Sequence, residues 1–476
     1  MHPTQFVNII LGNFPYQPTE NQRQLVHELA NFLHITDDSI FVLKGFAGTG
    51  KTTIVSALVN SLGAIGKKSL LLAPTGRAAK VLASYSGSPA YTIHKKIYRL
   101  LMFNDGSTSM ALMENKMRNT VIIVDEASMI PGNTASPDMN LFSARNLLED
   151  LMGFVNNGKG CRLLLIGDSA QLPPVGLDVS PALDVEYLNR SFHFPVKSYE
   201  LKDVVRQSLE SGILSNATNL RENIVTEGSK LFIQTSNFPD VTRVNGEELE
   251  DALNEAFSSS GREETVIITR SNKRANIFNR EIRNRILYLE NEISSGDLLM
   301  VVKNNYFWVE KTSALGFIAN GDIIELMRVN KIEEFYGFRF ADVDIRFPDY
   351  PKEKDMNVKL ILDTLDEDGP SLPYKDYQRL FEEVMKDYED IPSKRKRIEK
   401  MKNNPYFNAL QIKFAYALTC HKTQGGQWES VFIDQGYLTE ERVNTEFFRW
   451  LYTAFTRATK KLYLINFHER FFGDDE

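Results

Sequence analysis

Three apolar runs in the first part of the chain share one form, because each ends in polar residues suited to face a ligand. The runs cover residues 68–73, 121–124 and 163–166, and they are followed by Pro74-Thr75-Gly76, Asp125-Glu126 and Gly167-Asp168. Continuous apolar strands separated by helical segments are typical of a parallel sheet covered on both faces. Ligands bind such sheets at the carboxyl ends of the strands, where these polar residues fall. Residues 1–200 are therefore predicted to form one α/β domain.

A second set of buried strands lies in the last half of the chain, at residues 265–269, 414–418, 431–433 and 462–465. They predict a second α/β domain, made of residues 201–289 and 409–476 and interrupted by residues 290–408. Inside the interruption, residues 337–343 alternate apolar and polar positions, and a charged helical tract covers residues 374–402. The alternation predicts antiparallel β structure exposed on one side, such as a small barrel.

Composition sets only outer limits. A length of 476 residues exceeds one ordinary domain, and no apolar run approaches the roughly 20 residues that span a bilayer. The N-terminus has no basic stretch before an apolar core, so we expect no secretory signal. Cys161 and Cys420 lack metal-ligand spacing, and we expect a cytoplasmic protein. The net charge of −7 argues against coating nucleic acid by bulk attraction but allows a local basic groove.

The most specific chemistry lies in Gly45-Phe46-Ala47-Gly48-Thr49-Gly50-Lys51-Thr52, which fits G-x-x-x-x-G-K-[ST] in full. An apolar run at residues 39–43 precedes it, and a helix is predicted over residues 53–62. The glycines let the backbone wrap round a polyphosphate at a helix N-terminus. Lys51 supplies charge to the β- and γ-phosphates, and the Thr52 hydroxyl is placed to bind Mg²⁺. A glycine-rich turn with a chance Lys-Thr would not account for the flanking strand and helix.

Two further polar segments suit hydrolysis of a nucleoside triphosphate. Asp125 and Glu126 end an apolar strand, where Asp125 is the natural holder of Mg²⁺ and Glu126 can accept a proton from the attacking water. Gln171 lies in the segment of residues 167–176 and can hydrogen-bond both a γ-phosphate and a water. Two prolines stiffen that segment, so a movement at Gln171 would be transmitted. The alternative for this segment is a proline-rich turn closing a strand, which leaves its Asp and Gln unexplained.

Two arginines outside the first domain have positions suited to a γ-phosphate, namely Arg206 and Arg457. An arginine supplied across a cleft stabilises transition-state charge and makes hydrolysis depend on closure of the cleft. Taken singly, each arginine is better explained as a surface or ion-pair residue.

In their order along the chain, these segments resemble a superfamily 1 helicase of group B, the branch with RecD-like and Dda-like enzymes. The matching segments are residues 19–22 (adenine recognition), 45–52 and 125–126 (the Walker motifs), 72–80 and 92–94 (grip of single-stranded DNA), 167–176 (coupling), 417–425 (motif V) and 452–458 (motif VI). Gln22 would then read the base. The implied nucleotide contacts are Gln22, Gly45, Phe46, Ala47, Gly48, Thr49, Gly50, Lys51, Thr52 and Thr53.

The resemblance implies two RecA-like parallel-sheet motor domains, with ATP and Mg²⁺ in the cleft and single-stranded DNA across their top. It also implies an SH3-like insertion in the second motor, in agreement with the β-rich segment 290–408. In the first motor, the polar tract of residues 103–119 lies where the family places a strand-separating hairpin. Asn104-Asp105-Gly106 is a turn signal at its tip.

The predicted DNA contacts also make chemical sense on their own. They are Pro74, Thr75, Gly76, Arg77, Lys80, Thr92, His94, Thr419, His421 and Lys422. Hydroxyl and backbone donors suit phosphates, and Lys and His add positive or hydrogen-bonding groups. Few of these groups are suited to read base edges, so we expect sequence-independent binding. As an alternative, Thr75 and Thr92 each simply cap a helix.

One residue departs from the family pattern, and one basic tract lies outside the matching motifs. The RecD-like pattern has Glu two residues after the motif V glycine, whereas this chain has Gln427, which can still hydrogen-bond a hydroxyl. The tract of residues 394–397 is a solvated helix face or a contact to duplex DNA or a partner.

The leading interpretation is an ATP-dependent DNA helicase that translocates on single strands, for which the group implies 5′ to 3′ movement and work in DNA replication, recombination or repair. Its partners would be single-stranded DNA and duplex junctions, and we expect a monomer. A P-loop phosphotransferase or nucleotide switch is one alternative, but it leaves residues 419–425 and 452–458 without a role. A protein that clamps nucleic acid with ATP, without unwinding it, is the other.

Overall fold

The computed structural model describes residues 1–476 except 35–38, 103–107, 133–145, 204–210, 227–230, 310–314, 316 and 473–476. Among the described residues, every helix is too short or too polar to cross a membrane.

The first part of the chain alternates helices and strands. Its elements are α1 Pro3–Gly12, α2 Glu20–His34, β1 Ile40–Gly45, α3 Lys51–Ser61, β2 Lys68–Ala73, α4 Gly76–Ser86, β3 Ala90–Thr92, α5 Ile93–Ile97, β4 Tyr98–Met102, β5 Thr108–Leu112, β6 Thr120–Val124, α6 Leu147–Asn156, β7 Arg162–Gly167, α7 Val185–Phe192 and β8 Val196–Leu201. Six of the strands form a parallel sheet, the first sheet, in the order β3-β2-β6-β7-β1-β8.

The first sheet is covered on both faces, as the continuous apolar runs predict. Phe41 and Leu43 of β1 pack with α1, α2 and α3, while Ile40 and Val42 pack on the opposite face with α6. Alternate residues of one strand therefore enter two separate cores, because successive side chains point to opposite faces. The carboxyl ends of β1, β2, β6 and β7 meet at one edge, and this edge carries the phosphate loop.

The last part of the chain contains a second sheet and a barrel. Its elements are α8 Gly212–Thr226, β9 Val241–Val244, α9 Leu249–Ser259, β10 Thr265–Thr269, α10 Asn272–Glu281, β11 Leu298–Val301, β12 Ile323–Phe335, β13 Phe338–Arg346, β14 Met356–Ile361, α11 Tyr374–Lys386, α12 Lys394–Lys402, β15 Leu410–Phe414, β16 Ala417–Thr419, α13 Cys420–Thr423, β17 Trp428–Asp434, α14 Thr445–Phe455 and β18 Ala458–Ile465. The second sheet is parallel, in the order β16-β10-β17-β18-β9.

The barrel consists of β11 to β15 and is closed. Its strands β12 and β13 are joined by Tyr336 and Gly337, which both have positive φ, at 52° and 72°. This is the backbone of a two-residue hairpin turn, and glycine adopts it without strain. Two parallel sheets with a β-rich insertion in the second confirm the predicted fold class. The proposed boundaries at residues 200, 289 and 408 stay predictions.

One predicted strand is wrong. Residues 414–418 were expected to form a single strand of the second α/β domain, but Phe414 ends β15 of the barrel and Ala417 begins β16 of the second sheet. Between them, the Tyr416 hydroxyl donates to Asp297 at 3.1 Å and accepts from the Leu298 backbone N–H at 3.2 Å. These bonds hold the chain where it leaves one sheet for the other. The apolar run is continuous because both sheets bury their strands.

The predicted hairpin begins earlier in the chain than the polar tract suggested. β4 and β5 pair antiparallel, from Tyr98 with Leu112 to Met102 with Thr108. The turn signal at residues 104–106 lies outside the described residues. The charged tract of residues 374–402 is helical, as predicted, and forms two helices, α11 and α12.

Candidate nucleotide and DNA site

The phosphate loop joins β1 to α3 and is shaped around the Lys51 ammonium. Gly48 and Gly50 have φ values of 76° and 85°, which glycine adopts without a steric penalty. Lys51 Nζ donates to the carbonyl oxygens of Gly45 at 2.5 Å and of Phe46 at 2.9 Å. The ammonium is thus held inside the loop, at the N-terminal end of α3, where an anion is favoured.

Gln22 is hydrogen-bonded to this loop. Its amide Nε2 donates to the Thr49 carbonyl at 3.0 Å, and its Oε1 accepts from the Thr19 backbone N–H at 3.0 Å. The side chain is buried. The structure therefore assigns Gln22 a contact with the loop itself, and base recognition by Gln22 stays a prediction.

Asp125 and Glu126 lie directly after β6, beside the phosphate loop. The Asp125 carboxylate accepts from the Tyr85 hydroxyl at 2.5 Å and from the Glu126 backbone N–H at 2.9 Å. Glu126 has a positive φ of 52°, a strained backbone for a residue with a side chain. Strain of this kind clusters at functional sites, where the surrounding structure holds it.

Glu126 and Arg457 meet across the two sheets. Arg457 NH1 lies 3.9 Å from Glu126 Oε1, and the arginine side chain is 3% exposed. Burial raises the pKa of Glu126 above the ordinary range of a carboxyl group, while the Arg457 guanidinium opposes this rise. A carboxylate with a raised pKa is a better proton acceptor, as a general base requires. Arg206, the other predicted arginine, lies outside the described residues.

Gln171 is buried below the cleft. Among the described residues, nothing donates to its side-chain Oε1. Its backbone carbonyl lies 3.4 Å from Arg449 NH1, and the same guanidinium donates to the Ser169 carbonyl at 2.7 Å. A buried amide oxygen without a donor is suited to accept a hydrogen bond from water or a ligand.

Tyr452 begins the predicted motif VI, but no role was predicted for it. Its buried hydroxyl accepts from the Ala47 backbone N–H at 2.9 Å and donates to Asp168 at 2.6 Å. This hydroxyl, on helix α14 beside the second sheet, therefore contacts both the phosphate loop and the coupling segment, residues 167–176. A tyrosine amid the apolar face of a helix was the available signal, since buried tyrosines usually have a hydrogen-bond partner.

The coupling segment has two further contacts with the second sheet. The Leu172 backbone N–H donates to Thr453 Oγ1 at 2.8 Å, and Gln424 Nε2 donates to the Leu172 carbonyl at 2.6 Å. Residues 168–172 thus form a link between the phosphate loop and motifs V and VI.

The capping alternative for two predicted DNA contacts is confirmed. Thr75 caps α4 by accepting from the Ala78 N–H, and Thr92 caps α5 by accepting from the Lys95 N–H, both at 3.2 Å. Each hydroxyl keeps its own proton to donate, so capping and phosphate binding are compatible. Thr75 is half-buried and Thr92 is buried.

Arg77 faces the second sheet. Its guanidinium lies 4.0 Å from the ring centroid of Trp428 and donates to the Gln427 carbonyl at 2.7 Å. The Gln427 side chain is exposed. The stacked guanidinium joins the two sheets, and a DNA contact by Arg77 stays a prediction.

Three of the other predicted basic groups have altered pKa values. Burial lowers the pKa of His94 to about 4, and its ring lies near Tyr98 and Phe317, so it is neutral at pH 7. Burial also lowers the pKa of His421 and brings that of Lys422 to about 8. Neutral His94 can donate a hydrogen bond to a phosphate but adds no charge.

Sequence reasoning also missed Arg270. Thr269 and Thr419 are register partners in neighbouring strands, so Arg270 lies at the same sheet edge as the helix that begins at Cys420. Arg270 is exposed, and partial burial of its guanidinium, with a smaller contribution from Arg442, lowers its pKa. A basic residue directly after a buried strand was the signal for this position.

Comparisons with known proteins fit this arrangement. An AAA-domain family model matches residues 17–238, and a UvrD-like helicase C-terminal domain model matches residues 414–465. RecD2 DNA helicase of Deinococcus radiodurans is 33% identical over 159 residues, which cover 33% of this chain and 19% of RecD2. The motif order along both sheets resembles that of the superfamily 1 group B helicases, the branch with RecD-like and Dda-like enzymes.

Other relatives match over longer stretches. The helicase Dda of Enterobacteria phage T4 is 26% identical over 270 residues, which cover 54% of this chain and 55% of Dda. The uncharacterised protein R530 of Acanthamoeba polyphaga mimivirus is 23% identical over 93% of this chain and 98% of its own length. The chain thus spans about half of Dda and a fifth of RecD2. A Pif1 helicase structure from Bacteroides, with ADP-AlF3 and single-stranded DNA, has a TM-score of 0.49 at 15% identity and covers 97% of this chain and 95% of that one.

Proposed function

We propose that this chain is an ATP-dependent DNA helicase that moves along single-stranded DNA in the 5′ to 3′ direction and separates duplexes ahead of it. The observation that carries the proposal is the split site, in which Lys51 and Glu126 follow strands of the first sheet and Arg457 arrives from the second. Hydrolysis at such a site depends on how the two sheets sit against each other.

Each side chain has a role in this proposal. Lys51 and the loop N–H groups hold the β- and γ-phosphates, and Gln171 positions the attacking water. Glu126 takes the proton of that water, which its raised pKa favours. Arg457, with Arg206, stabilises the charge that develops on the γ-phosphate.

The residues present also fit Mg²⁺. The exposed Thr52 hydroxyl and the Asp125 carboxylate are the oxygen ligands that this ion prefers beside phosphates and water. Among the described residues, no three His, Cys, Asp or Glu side chains gather into a metal cluster, and Mg²⁺ at a nucleotide needs no such cluster. When bound, the ion neutralises phosphate charge.

Coupling to DNA runs through the residues between the two sheets. The Tyr452 hydroxyl is hydrogen-bonded both to Ala47 of the phosphate loop and to Asp168. A movement of the loop is therefore transmitted to Asp168. Thr75 and Thr92 grip the strand on the first motor, and Thr419 and Lys422 grip it on the second. Alternating grip makes each step directional. The expectation of a cytoplasmic monomer rests on the sequence.

The test is ATP hydrolysis with and without single- and double-stranded DNA and RNA. We expect strong stimulation by single-stranded DNA, and about a 100-fold or greater loss of hydrolysis in Lys51→Ala. Lys116→Ala, which removes a lysine with an 82% exposed side chain, is the matched control and should behave as wild type. Hydrolysis without any stimulation by nucleic acid would favour the phosphotransferase alternative. Stimulation without strand separation would favour the clamp.

A further inference from the structure

The barrel lies directly on α4, the helix that carries predicted DNA contacts. Asp349 Oδ1 lies 2.9 Å from Lys80 Nζ, and the Asp349 side chain is only 8% exposed. A Cβ atom on Gly76 would lie 2.7 Å from both Asp322 Oδ1 and the Tyr350 hydroxyl. The approach is so close that a side chain at Gly76 would force the barrel residues to move.

The barrel places two acidic side chains, Asp322 and Asp349, at this end of α4. Asp322 is buried, and burial, with a contribution from Asp349, raises its pKa to about 7, while Lys95 opposes the rise. The Asp322 carboxylate accepts from the Ala319 backbone N–H at 2.7 Å. Helix N-termini favour anions, and the first turn of α4 is where Thr75 and Gly76 are predicted to meet a DNA phosphate.

The same barrel loop touches predicted DNA contacts on both sheets. Asn320 Oδ1 accepts from Lys422 Nζ at 2.9 Å, on the second sheet. The Phe317 ring lies 6.4 Å from the His94 ring, centroid to centroid, on the first. Three predicted contacts, Lys80, His94 and Lys422, therefore have a barrel residue against them.

We propose that the barrel is an autoinhibitory latch whose acidic groups compete with the phosphates of single-stranded DNA for the grip residues. The inference rests on the proposed function, since it takes DNA as the competitor. A phosphate that approaches Lys80 meets the Asp349 carboxylate, whose negative charge repels the phosphate and which already accepts from the Lys80 ammonium at 2.9 Å. Strand binding is therefore favoured when Asp349 leaves Lys80.

The experiment measures equilibrium binding of a labelled oligothymidylate to the full chain at several salt concentrations. Asp349→Asn removes the competing charge, and we expect it to tighten binding about three- to tenfold at low salt. Asp355→Asn is the matched control, since it removes the same charge from the same barrel, where Asp355 pairs with Arg346 at 2.9 Å. Equal tightening in both variants, or none in Asp349→Asn, would overturn the latch.

A double-mutant cycle separates competition from a general charge effect. In a Lys80→Gln background, Asp349→Asn should no longer tighten binding, because the contested ammonium is gone. Undiminished tightening in that background would contradict the latch. Thermal unfolding of each variant shows that it is folded. If wild type binds the oligonucleotide and hydrolyses ATP but the effects of the two substitutions on binding are additive, the latch is contradicted and the proposed function is not. If wild type binds no single-stranded DNA, the proposed function fails and the latch with it.

Discussion

The Tyr452 hydroxyl joins three parts of the molecule through two hydrogen bonds, because it lies between the Ala47 N–H and the Asp168 carboxylate. Asp168 in turn accepts from the Ala170 backbone N–H at 2.9 Å. Tyr452, Asp168 and Ala170 are buried and Ala47 is half-buried, and a buried polar group that loses its partner costs more than the bond itself contributes. The Tyr452 oxygen is therefore one of the groups that fix the geometry of the coupling segment.

We expect Tyr452→Phe to lower the free energy of unfolding by about 1–3 kcal/mol, since it leaves the Ala47 N–H and Asp168 without that partner. Stimulation of ATP hydrolysis by single-stranded DNA should fall more than the unstimulated rate. Urea denaturation and hydrolysis assays measure the two effects. Tyr437→Phe, at a residue 87% exposed, is the control and should change neither. If Tyr452→Phe has wild-type stability and wild-type stimulation of hydrolysis by single-stranded DNA, the hydroxyl does not couple DNA binding to hydrolysis.

At the scale of elements, the β4–β5 hairpin directly follows a segment that is predicted to grip DNA. β4 follows α5 directly, and α5 begins after the Thr92 cap. The Tyr98 hydroxyl at the base of the hairpin donates to Asp150 of α6 at 2.7 Å. The base is therefore fixed to the first motor, as a strand-separating element must be if it is to resist the duplex.

Replacing residues 100–110 with a short Gly-Ser linker should abolish duplex unwinding and leave hydrolysis stimulated by single-stranded DNA. The base at Tyr98 and Leu112 stays intact in this variant, so the first sheet keeps its packing. A forked-duplex unwinding assay beside a hydrolysis assay measures both activities. If this variant unwinds duplexes at the wild-type rate, the hairpin is not the element that separates the strands.

At the scale of the whole molecule, polar contacts join the two parallel sheets. Arg77 on Trp428 and Thr453 at the Leu172 N–H connect them away from the phosphate loop, and Arg457 near Glu126 connects them at it. When a cleft opens, water can take the place of each lost partner, so breaking such a contact costs less than leaving a buried group unpaired. This is the interface expected of a cleft that opens and closes.

Polarity is a property of this whole arrangement. We expect unwinding of duplexes that carry a 5′ single-stranded overhang and little unwinding with a 3′ overhang. The two substrates share one duplex sequence, which serves as its own control. Activity with the 3′ overhang alone would contradict the proposed direction of movement.

Local patterns carried much of the fold. Strands such as β2, β6 and β10 lie where the apolar runs predict them, because burial on both faces of a parallel sheet leaves a continuous apolar signal. The same signal failed at residues 414–418, where one run supplies two different sheets. Short strands such as β3 and β9 were missed, since three or four residues show no clear period.

The sequence by itself determined the phosphate loop, because residues 45–52 are contiguous and the loop's shape follows from its glycines and the helix that starts at Lys51. It also determined the order of the motifs, and with it the resemblance to the helicase family. Only the tertiary structure decided which groups face each other: Glu126 with Arg457, Tyr452 with Ala47 and Asp168, and Lys80 with Asp349. These pairs join residues far apart in the chain, and a hydrogen bond or an ion pair between distant residues leaves no period or spacing in the sequence.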